Sequence, residues 1–225
     1  MHTQDAQQFL NTFAFNYFDL GFLIWLVIGV FRGRKLGMSQ ELIPMFKWIT
    51  IMFVAGFFYV PVALSVRQNT GTFFGKLGAN LVGYLLIALV VTIVFVWIKK
   101  AIGEKLLGSD LFGGYEYYLG MLGGLVRFAC MIVVLLALMN SRVYSKAEND
   151  AAAAEQKKQL DNSFFPSYGE IQYQMLTTSF TGRTVRTYLH QLLIKSVTPD
   201  DLKKPETPAQ KSNDVLNDVL GAPKK

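Results

Sequence analysis

Apolar residues gather between positions 13 and 140, in runs separated by short polar links. Three runs, 42–63, 77–98 and 118–140, are each long enough to cross a hydrocarbon core of about 30 Å as a helix. A fourth, 18–31, is shorter; extended back to residue 13 it spans only by including Asn16 and Asp19. The pattern predicts an all-α, polytopic membrane protein with four transmembrane helices at about 16–31, 42–63, 77–98 and 118–140. Residues 1–140 would form the membrane domain, 141–197 an amphipathic helical C-terminal segment, and 198–225 a disordered tail.

Within the third run, "LGANLVGYLLIALVVTIVFVWIKK" carries no charge until Lys99 and Lys100, and Trp97 holds the interfacial belt position. The second run has Pro44 near its start, where the missing N–H of a first helical turn is tolerated. After residue 140 the character changes. "SKAENDAAAAEQKKQLDNS" is a polar helix former without an apolar stripe. Residues 184–196 place Val185, Tyr188, Leu189, Leu192 and Leu193 on one helical face, flanked by Arg183, Arg186 and Lys195. That face suits either a helix lying on the membrane surface or one docked on the protein itself, and the pattern leaves both open. In the tail, "NDVLNDVL" reads as a short helix.

Composition agrees with a membrane protein: 52% of the 225 residues are hydrophobic and the mean hydropathy is +0.30. The net charge of +6 does not point to nucleic acid. Residues 1–140 carry ten Lys/Arg against six Asp/Glu, and 141–225 carry twelve against ten. The excess lies mainly in short loops, where positive charge sets topology and meets anionic lipid. Arg32, Arg34, Lys35, Lys99, Lys100 and Lys105 fall on one side of a four-span layout; Arg67, Lys76, Arg142 and Lys146 fall on the other. This balance favours both termini outside the cytoplasm. No Lys or Arg precedes the first apolar run and no small-residue cleavage site follows it, so the first span is expected to be retained as an anchor.

One charge is out of place. Arg127 sits about two turns into "YLGMLGGLVRFACMIVVLLALMN". An Arg at a span centre costs about 2.5–3.5 kcal/mol on insertion scales, so it needs a partner or a route to the interface. Alternation of the spans puts Glu41, Lys47 and Glu116 toward the same face as Arg127, and Asp19 toward the other. Glu41 and Glu116 are therefore the nominated partners in an intramembrane polar cluster with Arg127 and Lys47. Lys47, only one turn in, can also snorkel. Asp19 stands where a carboxylate caps the first helix. Gly29, Gly33, Gly120, Gly123 and Gly124 are candidate helix-packing glycines, because small residues let backbones approach closely in lipid.

Catalytic patterns do not emerge. The two histidines, His2 and His190, have no metal-ligand neighbour at i+4, and neither a phosphate loop nor a nucleophile elbow is found. Cys130 is the single cysteine and reads as a packing residue. The expectation is a non-enzymatic protein without catalytic residues, cofactor or metal. The residues imply membrane lipids as partners, leave homo-oligomers open and give no sign of nucleic acid.

The layout resembles the colicin V production protein family of bacterial inner-membrane proteins. Three stretches carry the likeness: "NYFDLGFLIWLVIGVFRGRKLGMSQEL", "GSDLFGGYEYYLGMLGGLVRF" and "NSFFPSYGEI". The chain has Glu116-Tyr117 where that family usually has Asp-Arg, and Arg127-Phe128 where it usually has Arg-Gly. The resemblance implies an inner-membrane protein supporting colicin V production or secretion and envelope homeostasis, with other inner-membrane or envelope proteins as its partners. The alternative is a subunit of an oligomeric small channel or transporter, with Arg127, Lys47 and Asp19 lining a pathway.

Overall fold

The computed structural model describes residues 16–70, 75–107, 112–142, 144, 148–152, 154–155 and 168–198. His2, the tail beyond Thr198 and its "NDVLNDVL" stretch lie outside the described residues. Four long helices dominate: α1 Tyr17–Leu36, α2 Met38–Thr70, α3 Lys76–Leu107 and α4 Glu116–Met139. Met38–Thr70, Lys76–Ile102 and Gly113–Met139 are long and apolar enough to cross a membrane, three in all among the described residues. With α1 the difference is charge: its 20 residues include Asp19, Arg32, Arg34 and Lys35.

Local chemistry sets the helix ends. Asn16 opens α1 as a capping box: its side chain accepts from the Tyr17 N–H, while Asp19 accepts from the Asn16 N–H. At the other end, Gly37 (φ +77°) turns the chain in a single residue and donates its N–H to the Gly33 carbonyl. A left-handed residue after a helix is where glycine costs least. Since α2 starts at Met38, a turn before its apolar run, Pro44 lies inside the helix rather than in its first turn. Pro61 lies inside it too. Each proline removes one N–H from the ladder.

Packing places the helices in a row, α1 against α4, α4 against α2, and α2 against α3. The core runs along their shared seams. Ile51, Ala55, Tyr59 and Ala63 of α2 meet Tyr84, Ile87 and Val91 of α3 on one side, and α4 supplies Ile132, Val133, Leu136 and Ala137. Gly83 lies against the Ala63 and Tyr59 backbone, and Ala79, one turn earlier on α3, is fully buried, so α2 and α3 approach closely. The outer flanks of α1 and α3 are apolar and exposed: Leu20, Leu23 and Phe31 on one, Leu85, Leu89 and Trp97 on the other. Burial cannot explain such flanks in water, and contact with lipid does.

The C-terminal segment folds back on one end of this row. Residues 148–152 and 154–155 are helical. α5 Tyr168–Tyr173 continues into a π-helical turn, Gln174–Thr178, followed by α6 Phe180–Tyr188 and a short 3-10 turn, His190–Leu192. The single amphipathic helix expected over 184–196 is therefore corrected. Ser179 caps α6 by accepting from the Gly182 N–H, so the helix starts earlier and ends at Tyr188. The chain then turns and becomes extended to an isolated parallel bridge between Arg142 and Val197. Of the two arrangements left open, docking holds. Val185, Leu192, Leu193, Ile194 and Val197 are buried, while Tyr188 points outward, 78% exposed.

Candidate functional site

Arg127 and Glu41 form an ion pair inside the helix row. The Arg127 Nη1 donates to Glu41 Oε2 at 2.5 Å. Glu41 is 0% exposed and Arg127 7%, values that decide against a guanidinium reaching the interface alone. The geometry nevertheless includes some climbing. Helical side chains lean toward the N-terminus, and Glu41 lies beside Gly123, one turn before Arg127. Arg127 thus reaches back along α4 to a carboxylate on α2. Its guanidinium also stands 5.1 Å from the centre of the Phe128 ring.

Glu116 takes a different role. Its Oε1 accepts the Ser39 N–H at 2.6 Å, so a residue at the start of α4 caps the start of α2. The carboxylate meets the positive end of the helix dipole there. The contact explains why Gly37 is tightly enclosed: a Cβ on it would lie 2.8 Å from Glu116 Oε1. Both nominated acids thus join the α2–α4 seam, yet only Glu41 meets Arg127. Glu41 Oε1, Glu116 Oε2 and Arg127 Nε are buried without a hydrogen-bond partner among the described residues. Lys47 lies apart from these contacts, its ammonium 5.5 Å from the Trp48 ring centre.

Glycines bring α1 within reach of this seam. Gly33 opposes Gly120, and Gly124 opposes Gly29 and Gly33, so closely that a Cβ on Gly33, Gly120 or Gly124 would strike the opposing backbone. Gly29 also faces Phe128, whose Cγ lies 2.7 Å from where a Cβ would be. The bulky residue standing where glycine is usual is therefore accommodated by a glycine on the opposite helix. Trp25 completes that contact, its ring centre 5.3 Å from that of Phe128. Gly123 faces α2 instead, toward Met38, Glu41 and Met45.

Asp19 marks the opposite end. Besides closing the α1 capping box, it accepts the Phe180 N–H at 2.8 Å, the Thr181 N–H at 2.9 Å and the Thr181 hydroxyl at 2.8 Å. One carboxylate therefore caps two helices, α1 and α6. Sequence reasoning missed the second, as it missed Tyr59, whose hydroxyl accepts the Lys195 N–H, and Gln172, whose amide donates to the Met139 and Arg142 carbonyls. Asn140 adds a bond to the Ile194 carbonyl at 2.9 Å. These contacts satisfy backbone groups at the end of α4 and pin the C-terminal cap there.

Cys130 is buried and unbridged, and His190 is exposed on its short turn. Among the described residues no three His, Cys, Asp or Glu side chains converge as a metal site. The arrangement is one of paired charges and close-packed backbones. Neither a curated protein nor a solved structure matches the chain. A family model does: the three apolar helices and the Arg127–Glu41 seam fall within residues 18–168, the stretch matched by the model for the Colicin V production protein, and the chain is a multi-pass membrane protein belonging to that family.

Proposed function

We propose that the chain is a non-enzymatic, four-span protein of the bacterial inner membrane that supports secretion of a colicin V-like toxin and envelope homeostasis. The observation carrying this reading is the buried Arg127–Glu41 pair. It uses an expensive intramembrane charge to join α2 to α4, which supports a structural role for the seam. For α1 as the fourth span, the support is its antiparallel glycine contact with α4, which gives it the same depth as a membrane-crossing neighbour. The charge balance of the loops supports termini outside the cytoplasm.

The experiment is complementation in a toxin-exporting cell depleted of the chain. Wild-type protein should restore secreted toxin, and Arg127→Leu should not. Unchanged secretion on depletion would overturn the export role.

A channel or transporter subunit is the second reading, favoured by the exposed apolar flank of α3. A row of helices encloses no pathway by itself, so that flank would have to join further copies. Ion or solute flux from liposomes holding the purified chain would decide for it.

A further inference from the structure

We infer that the groove between the end of α1 and the start of α4 binds the phosphate headgroup of an anionic phospholipid. Six residues line this space of about 720 Å³: Phe31, Arg34, Lys35, Tyr117, Tyr118 and Met121. Their order along the helices matters. Arg34 and Lys35 occupy the last turn of α1, and Tyr117 and Tyr118 the first turn of α4. Phe31 and Met121 each lie about one turn further into their helix, toward the membrane interior. The groove therefore changes from cationic and phenolic at its mouth to apolar at its base. A free anion needs only the first part; an amphiphile needs both.

Charge complementarity adds to this gradient. Arg34 and Lys35 are exposed and not ion-paired with any described residue. Glu116, the residue before Tyr117, directs its carboxylate to the Ser39 N–H and forms no ion pair with either cation. Two cations and two phenol hydroxyls offer donors to a phosphodiester, while Phe31 and Met121 lie where acyl chains begin. Arg32 shares the same helical turn but does not line the groove. This separates a built site from the diffuse attraction of any basic loop for an anionic surface. The register comes from the Gly33–Gly120 contact and the depth from α4, so the inference needs neither the proposed function nor the direction of insertion.

The test is native mass spectrometry of the full chain released from nanodiscs of phosphatidylglycerol mixed with phosphatidylcholine. Wild type should retain phosphatidylglycerol in preference to phosphatidylcholine. Arg34→Gln with Lys35→Gln should lower that preference about 25-fold, at roughly fivefold for each cation near a membrane surface. Arg32→Gln should leave it near the wild-type value. The double variant changes exposed side chains, and an unchanged elution volume and helical circular dichroism would show that it folds. Equal loss in Arg32→Gln would overturn the site in favour of diffuse charge. So would an absence of preference in the wild type, or displacement of the lipid by millimolar inorganic phosphate, which would indicate a simple anion site.

Discussion

Asp19 accepts both the backbone N–H and the hydroxyl of Thr181, tying the head of the first helix to a residue 162 positions later. With the Phe180 N–H also directed at it, the carboxylate serves the start of α6 while still holding the Asn16 N–H. Hydrogen bonds to a charged group contribute about 1.5–3 kcal/mol when the partner remains buried. Asp19 is 3% exposed, so little water replaces what a substitution removes.

Asp19→Ala should therefore loosen the cap by about 2–3 kcal/mol. Limited trypsin digestion of membranes should cut after Arg183 or Arg186 much faster than in the wild type. Asp19→Asn should lie between, since it keeps one acceptor oxygen and loses the charge. Equal cleavage rates in all three proteins would show that the contact does not hold the cap.

Arg127→Leu removes one member of a buried pair and leaves Glu41 without its cation. Breaking such a pair typically costs about 3–5 kcal/mol, whereas replacing both charges is often neutral. The single variant should insert as well as the parent and yet lose thermal stability in detergent. Arg127→Leu combined with Glu41→Leu should recover most of the loss. Arg127→Lys should rescue only in part, because a compact ammonium on a different stem reaches Glu41 with fewer donors. If the single Leu variant matches the parent in stability and function, the pair is only a tolerated charge.

Much of this seam was legible in the sequence. The depth of Arg127 demanded a partner, and span alternation put Glu41 and Glu116 on its side. Depth alone could not divide their roles. That depended on Glu116 lying beside Gly37 at the first turn of α2, where the Ser39 N–H was the nearer partner. Gly29, Gly33, Gly120 and Gly124 were visible through their four-residue spacing, which is a local property. The second role of Asp19 was not, because its partners lie over 160 residues away and no local pattern encodes them. Ser179 ahead of "FTGR" was the available signal for a helix start. The 184–196 face misled because Leu192 and Leu193 keep helical spacing while packing from a turn and the extended backbone after it, with Leu192 against Gly56.

Orientation gives a prediction independent of side-chain detail. The basic loops at the α1–α2 turn and the end of α3 should face the cytoplasm. The cap held by Asp19 would then face away from it. A reporter that is active only in the cytoplasm, fused after Lys225, should stay dark, and one placed in the α3–α4 link should be active. Reversal of both signals would invert the topology; signals on the same side would mean that α4 does not cross.

The glycine contact between α1 and α4 supplies the last prediction. At Gly33 a Cβ would fall on the Gly120 carbonyl, an atom of a rigid helix backbone that cannot swing aside as a side-chain tip does. Gly33→Val should therefore separate the helices, at a cost of roughly 1–3 kcal/mol or more for forced overpacking. Gly21, on the same helix, has nothing within 4 Å of its added Cβ. Gly21→Ala should be neutral or slightly stabilising, since alanine is the better helix former. Thermal unfolding in detergent reads the difference. Gly33→Val should melt well below the parent, while Gly21→Ala should melt with it or slightly above. Equal melting of Gly33→Val and the parent would mean that α1 is not held to α4 by close backbone approach, and the pairing of the two helices would lose its physical basis.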